Sequence, residues 1–261
     1  MKLSNRRRVR GVRALPALKL SLLATLVCLS QAAPVAAQQP APELLSHDEL
    51  VRLYEQETPP AELQEKLRRL LTTPFVSNAA SARGVRPLLP VAPKLGNFLR
   101  VVQWNIARGL EYDAIKSAFT DAASFAKLLN STAYPRRSEK RKVVLQQVAL
   151  LKQADVVVLN EVDFGMKRTG YRNVAADLAS AMGMNYAYGV EFVEVDPIAL
   201  GVEKFEELKP EDRAQLAKEI SIDPARYRGL HGTAIFSRFP LENVRIERYE
   251  HQPHDWYEDE L

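Results

Sequence analysis

The alternation of hydrophobic and polar positions changes most sharply in residues 154–163, which read A-D-V-V-V-L-N-E-V-D. Four consecutive apolar residues, Val156 to Leu159, predict a strand that is buried on both faces. The apolar run ends abruptly in polar residues that include Glu161 and Asp163. Open α/β sheets place ligand sites at the ends of their strands, so we expect these carboxylates at such a rim. The alternative is that they only end the strand and face solvent.

A second strand is predicted to end in the same way. Residues Leu99 to Trp104 read L-R-V-V-Q-W and are followed by Asn105 and a turn that contains Gly109. A helix predicted over Ser138 to Gln153 leads from this region into the strand that ends at Glu161. Strand, crossover helix and strand form a βαβ unit in a sheet covered by helices. We therefore expect Asn105 and Glu161 to line one site, although asparagine at a strand end also forms turns without any further role.

The residues before this unit predict helices and a loop. Ser46 and Glu49 match a capping box that opens a short helix to about Glu57. Pro59 and the proline after it start a second helix, with leucines at helical spacing. The proline-rich segment Thr72 to Leu95 is interpreted as a loop that runs over the surface.

The residues after the unit predict further strands. The pattern predicts a helix capped by Asn173 over Asn173–Met182, followed by a strand over Asn185–Val195. A polar insertion at Asp196–Arg228 separates this strand from a short strand at Gly229–Arg238, which is entered from a glycine-flanked turn. Val244–Tyr249 is a candidate last strand. The tail contains His251 and His254, but their spacing matches no zinc site, so we interpret it as a loop.

The composition fits a globular protein whose basic character is confined to its N-terminus. The chain has 261 residues, of which 46% are hydrophobic and 26% charged, which suits about one domain with extra segments. Its net charge is +4. Residues 1–37 hold seven basic residues and no acidic one, so the rest has 29 Lys and Arg against 32 Asp and Glu, a net charge of −3. The overall charge is therefore no argument for a phosphate-binding surface on the folded part.

Residues 1–37 have the form of a secretory signal peptide. A basic region precedes the apolar run Leu20 to Leu29, and small residues before Gln38 suit a cleavage site. The run is shorter than the roughly 20 residues of a membrane span, so we predict no integral membrane segment after cleavage and a periplasmic or secreted protein. An uncleaved anchor is the alternative. Cys28, the only cysteine, lies in the leader, so the mature chain would have no thiol chemistry.

Two further residues are candidates for substrate binding. Arg168 lies in a loop after Asp163 with two more basic residues, Lys167 and Arg172, and such a loop beside a carboxylate would suit a phosphate ester. An ordinary solvated loop is the alternative. His231 lies in the glycine-flanked turn and is the second candidate. A hard divalent cation such as Mg²⁺, which takes oxygen ligands and keeps several waters, would suit the carboxylates at the strand end.

Three stretches together resemble one family, the endonuclease/exonuclease/phosphatase superfamily of DNase I-like hydrolases. They occur in its order and approximate spacing, and they are W-N-I-x-x-G at Trp104–Gly109, V-V-L-N-E-V-D at Val157–Asp163 and G-x-x-G-T-A-I-F-S-R at Gly229–Arg238. The resemblance covers about Gly96 to the C-terminus. It implies an α/β fold, a four-layer α/β sandwich of the DNase I-like type, that hydrolyses phosphate esters with Mg²⁺ or Mn²⁺. It also implies that Glu161 is the metal-binding glutamate and that Asn105 helps to set the metal and phosphate site.

The chain departs from the superfamily in its last part. The D-x-N strand end and the late S-D-H strand end, which supplies a histidine and its aspartate, have no match after Arg238. We therefore expect a leader at 1–37, a helical and proline-rich extension at 38–95, and a domain at 96–261 that is incomplete at its C-terminus.

The functional hypothesis is an exported metal-dependent phosphoesterase, of which this chain would be a fragment. Superfamily members act on DNA, RNA, inositol phosphates or sphingomyelin, and the sequence does not select among these substrates. The first alternative is a non-catalytic exported protein or degenerate family member that binds a partner. The second is an unrelated α/β protein in which Asn105 and Glu161 lie far apart.

Overall fold

The structure is a computed structural model that describes residues 40–195 and 221–247. The predicted leader, most of the predicted polar insertion and the tail with His251 and His254 lie outside these residues. Among the helices in the described ranges, none has both the length and the apolar character needed to cross a membrane.

Two helices begin the described part of the chain, α1 at His47–Glu55 and α2 at Ala61–Thr72. The predicted capping box is confirmed: the Glu49 N–H donates to Ser46 Oγ at 3.2 Å, and the Ser46 N–H donates to Glu49 Oε2 at 2.7 Å. Each helix buries an apolar stripe in the core that it shares with the sheet, through the leucines Leu50, Leu63 and Leu70.

The described residues contain seven strands, β1 to β7, at Phe75–Ser77, Val91–Ala92, Gly96–Asn97, Val101–Arg108, Val156–Phe164, Asn185–Val193 and Leu230–Ser237. Five of them form the central sheet in the order β1-β6-β7-β5-β4, and β2 pairs only with β3. Strands β4 and β5 are parallel, whereas the other neighbours in the central sheet are antiparallel. The sheet is therefore mixed.

The parallel pair confirms the predicted βαβ unit. Three helices connect β4 to β5: α4 at Tyr112–Thr120, α5 at Ala122–Leu128 and α6 at Glu139–Leu151. The first two were not predicted. Helix α6 begins where expected, because the Ser138 side chain accepts the N–H of Arg141. The helix after β5, α7 at Val174–Met182, also begins as predicted, with Asn173 as its cap.

The central sheet has one covered face and one open face within the described residues. On the covered face Val157, Leu159, Ala234 and Phe236 are almost fully buried. On the other face, the strand pairing places Val101 and Ile235, which are 61% and 39% exposed. Because neighbouring side chains in a strand point to opposite faces, the polar residue Asn105 shares the open face with Val101.

The predicted surface loop at Thr72–Leu95 is partly wrong. It contains β1 and a short helix, α3 at Ala79–Ala82, and β1 is the edge strand that pairs with β6. A three-residue strand is too short to show the alternation of apolar and polar residues that identifies a strand in sequence. It forms because it pairs with a strand more than a hundred residues away. The candidate last strand at Val244–Tyr249 is not formed in its described part, residues 244–247.

Candidate active site

The two parallel strands bring Asn105 and Glu161 together, as predicted. Asn105 on β4 pairs in register with Asn160 on β5, so the carboxyl ends of both strands meet at one rim of the sheet. Asn105 Nδ2 donates a hydrogen bond to Glu161 Oε1 at 2.6 Å. Asn105 is exposed and Glu161 is half-buried, so the pair is accessible from solvent. The alternative in which the two residues lie far apart is thereby excluded.

Both ends of the Asn105 amide are fixed. Its Oδ1 accepts the N–H of Ala107 at 2.9 Å, while its Nδ2 donates to Glu161. An amide held at both ends has one orientation, because oxygen only accepts and nitrogen only donates. The irregular last residues of β4 therefore fix the orientation of the Asn105 amide, and this amide fixes the position of one oxygen of the Glu161 carboxylate.

Irregular backbone surrounds this pair. The β4–β5 register shifts between Asn105 and Arg108, and the β5–β7 register shifts between Leu159 and Val162. Glu161 has a φ of 55°, in the left-handed region that residues other than glycine seldom adopt. Bulges beside active sites re-aim a side chain, and residues in this conformation cluster at functional sites. The side chain of Glu161 therefore leaves the backbone in a different direction from that of a residue in a regular strand.

Sequence reasoning missed two further polar residues at this rim, Thr233 and Glu191. Thr233 on β7 lies opposite the bulge that contains Glu161, and its hydroxyl donates to Glu191 Oε1. Glu191 is the extra residue of a bulge in β6, where the pairing shifts between Val190 and Phe192. A second carboxylate therefore lies near the rim. Only the pairing register could have identified it, because Glu191 is more than forty residues from Thr233 in sequence.

Arg168 does not point to this rim as a free cation. Its Nε and Nη2 donate to the two oxygens of Asp163 at 2.6 and 3.0 Å, and its Nη1 and Nη2 donate to Glu194 at 2.6 and 2.8 Å. Burial works against the charged form, but hydrogen bonds to Asp163 and then Glu194 outweigh it and raise the pKa of Arg168 above its ordinary value. The sequence prediction made Arg168 a substrate contact, whereas the structure directs its guanidinium to two internal carboxylates.

His231 joins the same buried group. Its Nδ1 lies 2.9 Å from Asp163 Oδ1, and its ring stacks on Phe192 with centroids 4.7 Å apart. His231 is only 4% exposed and Asp163 is fully buried. The sequence prediction made His231 a second substrate contact, but the structure encloses its ring between strands.

The other basic residues of the loop after Asp163 also have partners within the chain. Lys167 Nζ donates to the carbonyl oxygen of Ser221, and the Arg172 guanidinium lies over the Tyr112 ring at 4.6 Å. The loop therefore uses these charges for contacts within the chain, which differs from both the basic substrate surface and the solvated loop that the sequence suggested.

The rim offers a metal ion few protein ligands within the described part of the chain. Among the described residues, no three His, Cys, Asp or Glu side chains lie close enough together to hold a metal ion. A structural zinc ion takes four protein ligands, which this rim does not supply. Mg²⁺ is commonly held by one or two carboxylates, its own waters and a substrate phosphate. Glu161, half-buried at an open rim, can supply such a carboxylate.

Comparison with known proteins identifies the family. A model of the Endonuclease/Exonuclease/phosphatase family matches residues 102–260. The chain belongs to this family. The match includes Asn105, Glu161 and all of β7, which are the residues that carried the resemblance in sequence. The mixed α/β fold with helices flanking a central sheet is consistent with the DNase I-like fold. No curated protein and no solved structure matches the chain.

Proposed function

We propose that the protein is an exported phosphoesterase that uses a divalent cation, Mg²⁺ or Mn²⁺, at the rim formed by Asn105 and Glu161. The observation that supports this most is the 2.6 Å hydrogen bond between these two side chains at the bulged ends of parallel strands. Family membership supports phosphate-ester hydrolysis in general. The metal requirement and the export are our inference.

The electrostatics of the rim favour a cation. The rim carries the Glu161 carboxylate, with Glu191 held to Thr233 opposite the same bulge, and the charge of Arg168 is matched by two internal carboxylates. These carboxylates repel an anionic substrate, and Arg108 at the end of β4 carries one positive charge against them. A bound divalent ion would add positive charge, polarise a phosphoryl oxygen and stabilise the charge that develops during hydrolysis.

The roles of the two residues follow from their contacts. Glu161 provides the ionised oxygen ligand, on a strand end whose backbone is tied to two neighbouring strands. Asn105 orients Glu161 by holding Oε1, which leaves Oε2 available to a cation. A rigid strand end suits this task, because metal ligands on strands are held more precisely than ligands on loops.

The test is hydrolysis of bis(p-nitrophenyl) phosphate and p-nitrophenyl phosphate by the full-length protein that contains this chain, with and without metal. We expect turnover with Mg²⁺ or Mn²⁺, loss of turnover after EDTA treatment, and recovery when metal is added back. Turnover that is unchanged by EDTA would contradict the metal requirement. Absence of turnover under all conditions would contradict the enzymatic role.

Export has its own test. Residues 1–37, with their basic region, apolar run and small residues before Gln38, are the basis of this part of the proposal. In cells, we expect the mature protein to begin at Gln38 and to be found outside the cytoplasm. Amino-terminal sequencing of the purified native protein would measure this, and a protein that retains Met1 would contradict cleavage.

A partner-binding role without catalysis is the second candidate. The open sheet face favours it, because Val101 and Ile235 expose apolar side chains on the face that also carries Asn105. Exposed apolar surface of this kind marks interaction sites when it is contiguous. Metal-dependent turnover by the protein would exclude this role as its only function.

A further inference from the structure

A group of four charged or titratable side chains, two of them buried and two half-buried, lies just beyond the rim. We call it the Asp163 network, and it consists of Asp163, Arg168, Glu194 and His231. Asp163 lies on β5 two residues after Glu161, and His231 lies on β7 two residues before Thr233. The proposed chemistry uses none of the four side chains directly, so their burial beside the site requires another account.

Asp163 is fully buried and its carboxylate is fully engaged. Its Oδ2 accepts from Arg168 Nε, and its Oδ1 accepts from Arg168 Nη2 and lies at hydrogen-bond distance from His231 Nδ1. Glu194 takes the remaining side of the same guanidinium. A buried carboxylate is costly unless all its partners are present, so removal of any one of them disturbs the others.

The network closes the bulge that contains Glu161. On β5, regular pairing with β7 stops after Leu159 and resumes at Val162, and the next cross-strand pair is Asp163 with His231. Tyr188 supports the same point from β6, because its hydroxyl donates to the carbonyl oxygen of Val162 at 3.1 Å. A slip of one residue would move every following side chain to the opposite face.

Glu161 needs such support because of its backbone conformation. A left-handed φ in a residue with a side chain persists only where the surrounding structure fixes it. On one side of the bulge the apolar pair Leu159 and Ala234 holds the register. On the other side the pair Val162 and Gly232 is followed directly by the buried pair Asp163 and His231. The two carboxylates of the stretch N-E-V-D therefore have different tasks: Glu161 faces the site and Asp163 anchors the strand behind it.

We propose that Asp163 is a positioning residue whose network fixes the bulge and thereby the place of the Glu161 carboxylate. The inference rests on the proposed function. It makes Asp163 necessary for metal binding and turnover although it contacts neither the metal nor the substrate. Side chains that support a metal ligand from behind typically change metal affinity or activity by about 10–100-fold when mutated.

The first test compares Asp163→Asn with a matched variant at the opposite end of the same strand, Asp155→Asn. Asp155 is also almost fully buried, and it accepts hydrogen bonds from the Arg100 guanidinium at 2.9 and 3.0 Å. Both variants lose one buried carboxylate that is paired with an arginine. They differ in that only Asp163 adjoins the Glu161 bulge, so Asp155→Asn controls for loss of stability.

Two quantities are measured on each variant. Binding of Mn²⁺ is followed by electron paramagnetic resonance of the free ion, and kcat and KM are measured with bis(p-nitrophenyl) phosphate at saturating Mn²⁺. We expect Asp163→Asn to raise the Kd for Mn²⁺ and to lower kcat, each by about tenfold or more, with KM much less affected. We expect Asp155→Asn to lower the thermal midpoint but to keep the wild-type Kd and kcat.

A second pair of variants covers the case in which Asp163→Asn does not fold. His231→Asn can keep an N–H donor near the place of the imidazole Nδ1, whereas His231→Leu cannot. We expect His231→Asn to retain Mn²⁺ affinity and kcat close to the wild type, and His231→Leu to lose both. Equal values for the two His231 variants would overturn the inference.

Glu161→Gln separates the two possible failures. If it binds Mn²⁺ and hydrolyses the diester as the wild type does, the proposed function fails and the inference fails with it. If it abolishes both while Asp163→Asn behaves like Asp155→Asn, the proposed function stands and the positioning role of Asp163 is overturned.

Discussion

Replacing Asn105 with alanine removes the side chain that orients Glu161, and we expect slower hydrolysis by a folded protein. The substitution deletes the donor to Glu161 Oε1 at 2.6 Å and the acceptor for the Ala107 N–H at 2.9 Å. Asn105 is exposed and lies outside the hydrophobic core, so little packing is lost. The effect should therefore appear in catalysis more than in stability.

The size of the effect follows from the environment of the hydrogen bond. A hydrogen bond to a charged group contributes about 1.5–3 kcal/mol. Asn105 is exposed and Glu161 is half-buried, so water competes for both and the lower value, about 1.5 kcal/mol, applies. Because about 1.4 kcal/mol corresponds to a factor of ten in rate, we expect kcat/KM to fall about tenfold.

The assay is Mn²⁺-dependent hydrolysis of bis(p-nitrophenyl) phosphate, with thermal unfolding as the check on folding. Gln103→Ala is the matched control, because Gln103 lies on the same strand and face but donates to Asn160 Oδ1 at 3.2 Å and not to Glu161. We expect this control to keep the wild-type kcat/KM. An Asn105→Ala variant with unchanged kcat/KM, or a Gln103→Ala variant that loses as much, would refute the reasoning.

Three further predictions concern stability. Ser46→Ala removes the side-chain cap of α1 and should lower the free energy of unfolding by about 1 kcal/mol in a urea titration; no change would show that the cap is dispensable. The hydrogen bonds from Arg100 hold the pKa of Asp155 below its ordinary value, so the stabilisation is complete above the unfolded pKa of about 4 and is lost as pH falls through the folded pKa. In the Asp155→Asn variant, the thermal midpoint should therefore fall less steeply than in the wild type as the pH drops below about 4. A fall as steep as that of the wild type would count against this. Gly232→Ala would place a Cβ 2.0 Å from the carbonyl oxygen of Gly189 and force β6 and β7 apart. We therefore expect a large drop in the thermal midpoint or no soluble protein. A wild-type midpoint would contradict the close approach of the two strands.

Local and periodic signals predicted the part of the fold that builds the rim. The strand pattern at Leu99–Trp104, the apolar run at Val156–Leu159 and the helix between them predicted a βαβ unit. Its two strands are parallel, which brings Asn105 and Glu161 to one edge. The helix caps at Ser46 and Asn173 could also be predicted from sequence, because a capping side chain forms a hydrogen bond with backbone no more than three residues away.

Contacts between distant segments account for what could not be predicted. The environment of Arg168 depends on Glu194, which is 26 residues away, so the sequence showed a basic loop and not an internal ion pair. The same holds for β1, which gains its partner only when β6 is in place. The left-handed φ of Glu161 leaves no local signal either, because the bulge is visible only in the register against two strands that are distant in sequence.

Metal binding and hydrolysis both depend on Glu161 in the proposed function, and the Glu161→Gln variant tests this dependence. The variant keeps the shape of the side chain but removes its charge, and Glu139→Gln is the control because Glu139 is an exposed glutamate at the start of α6. The measurement is Mg²⁺- or Mn²⁺-dependent hydrolysis of bis(p-nitrophenyl) phosphate by both variants and the wild type. We predict that Glu161→Gln abolishes turnover while Glu139→Gln retains it. Metal-dependent turnover that survives in Glu161→Gln at the wild-type rate would contradict the account.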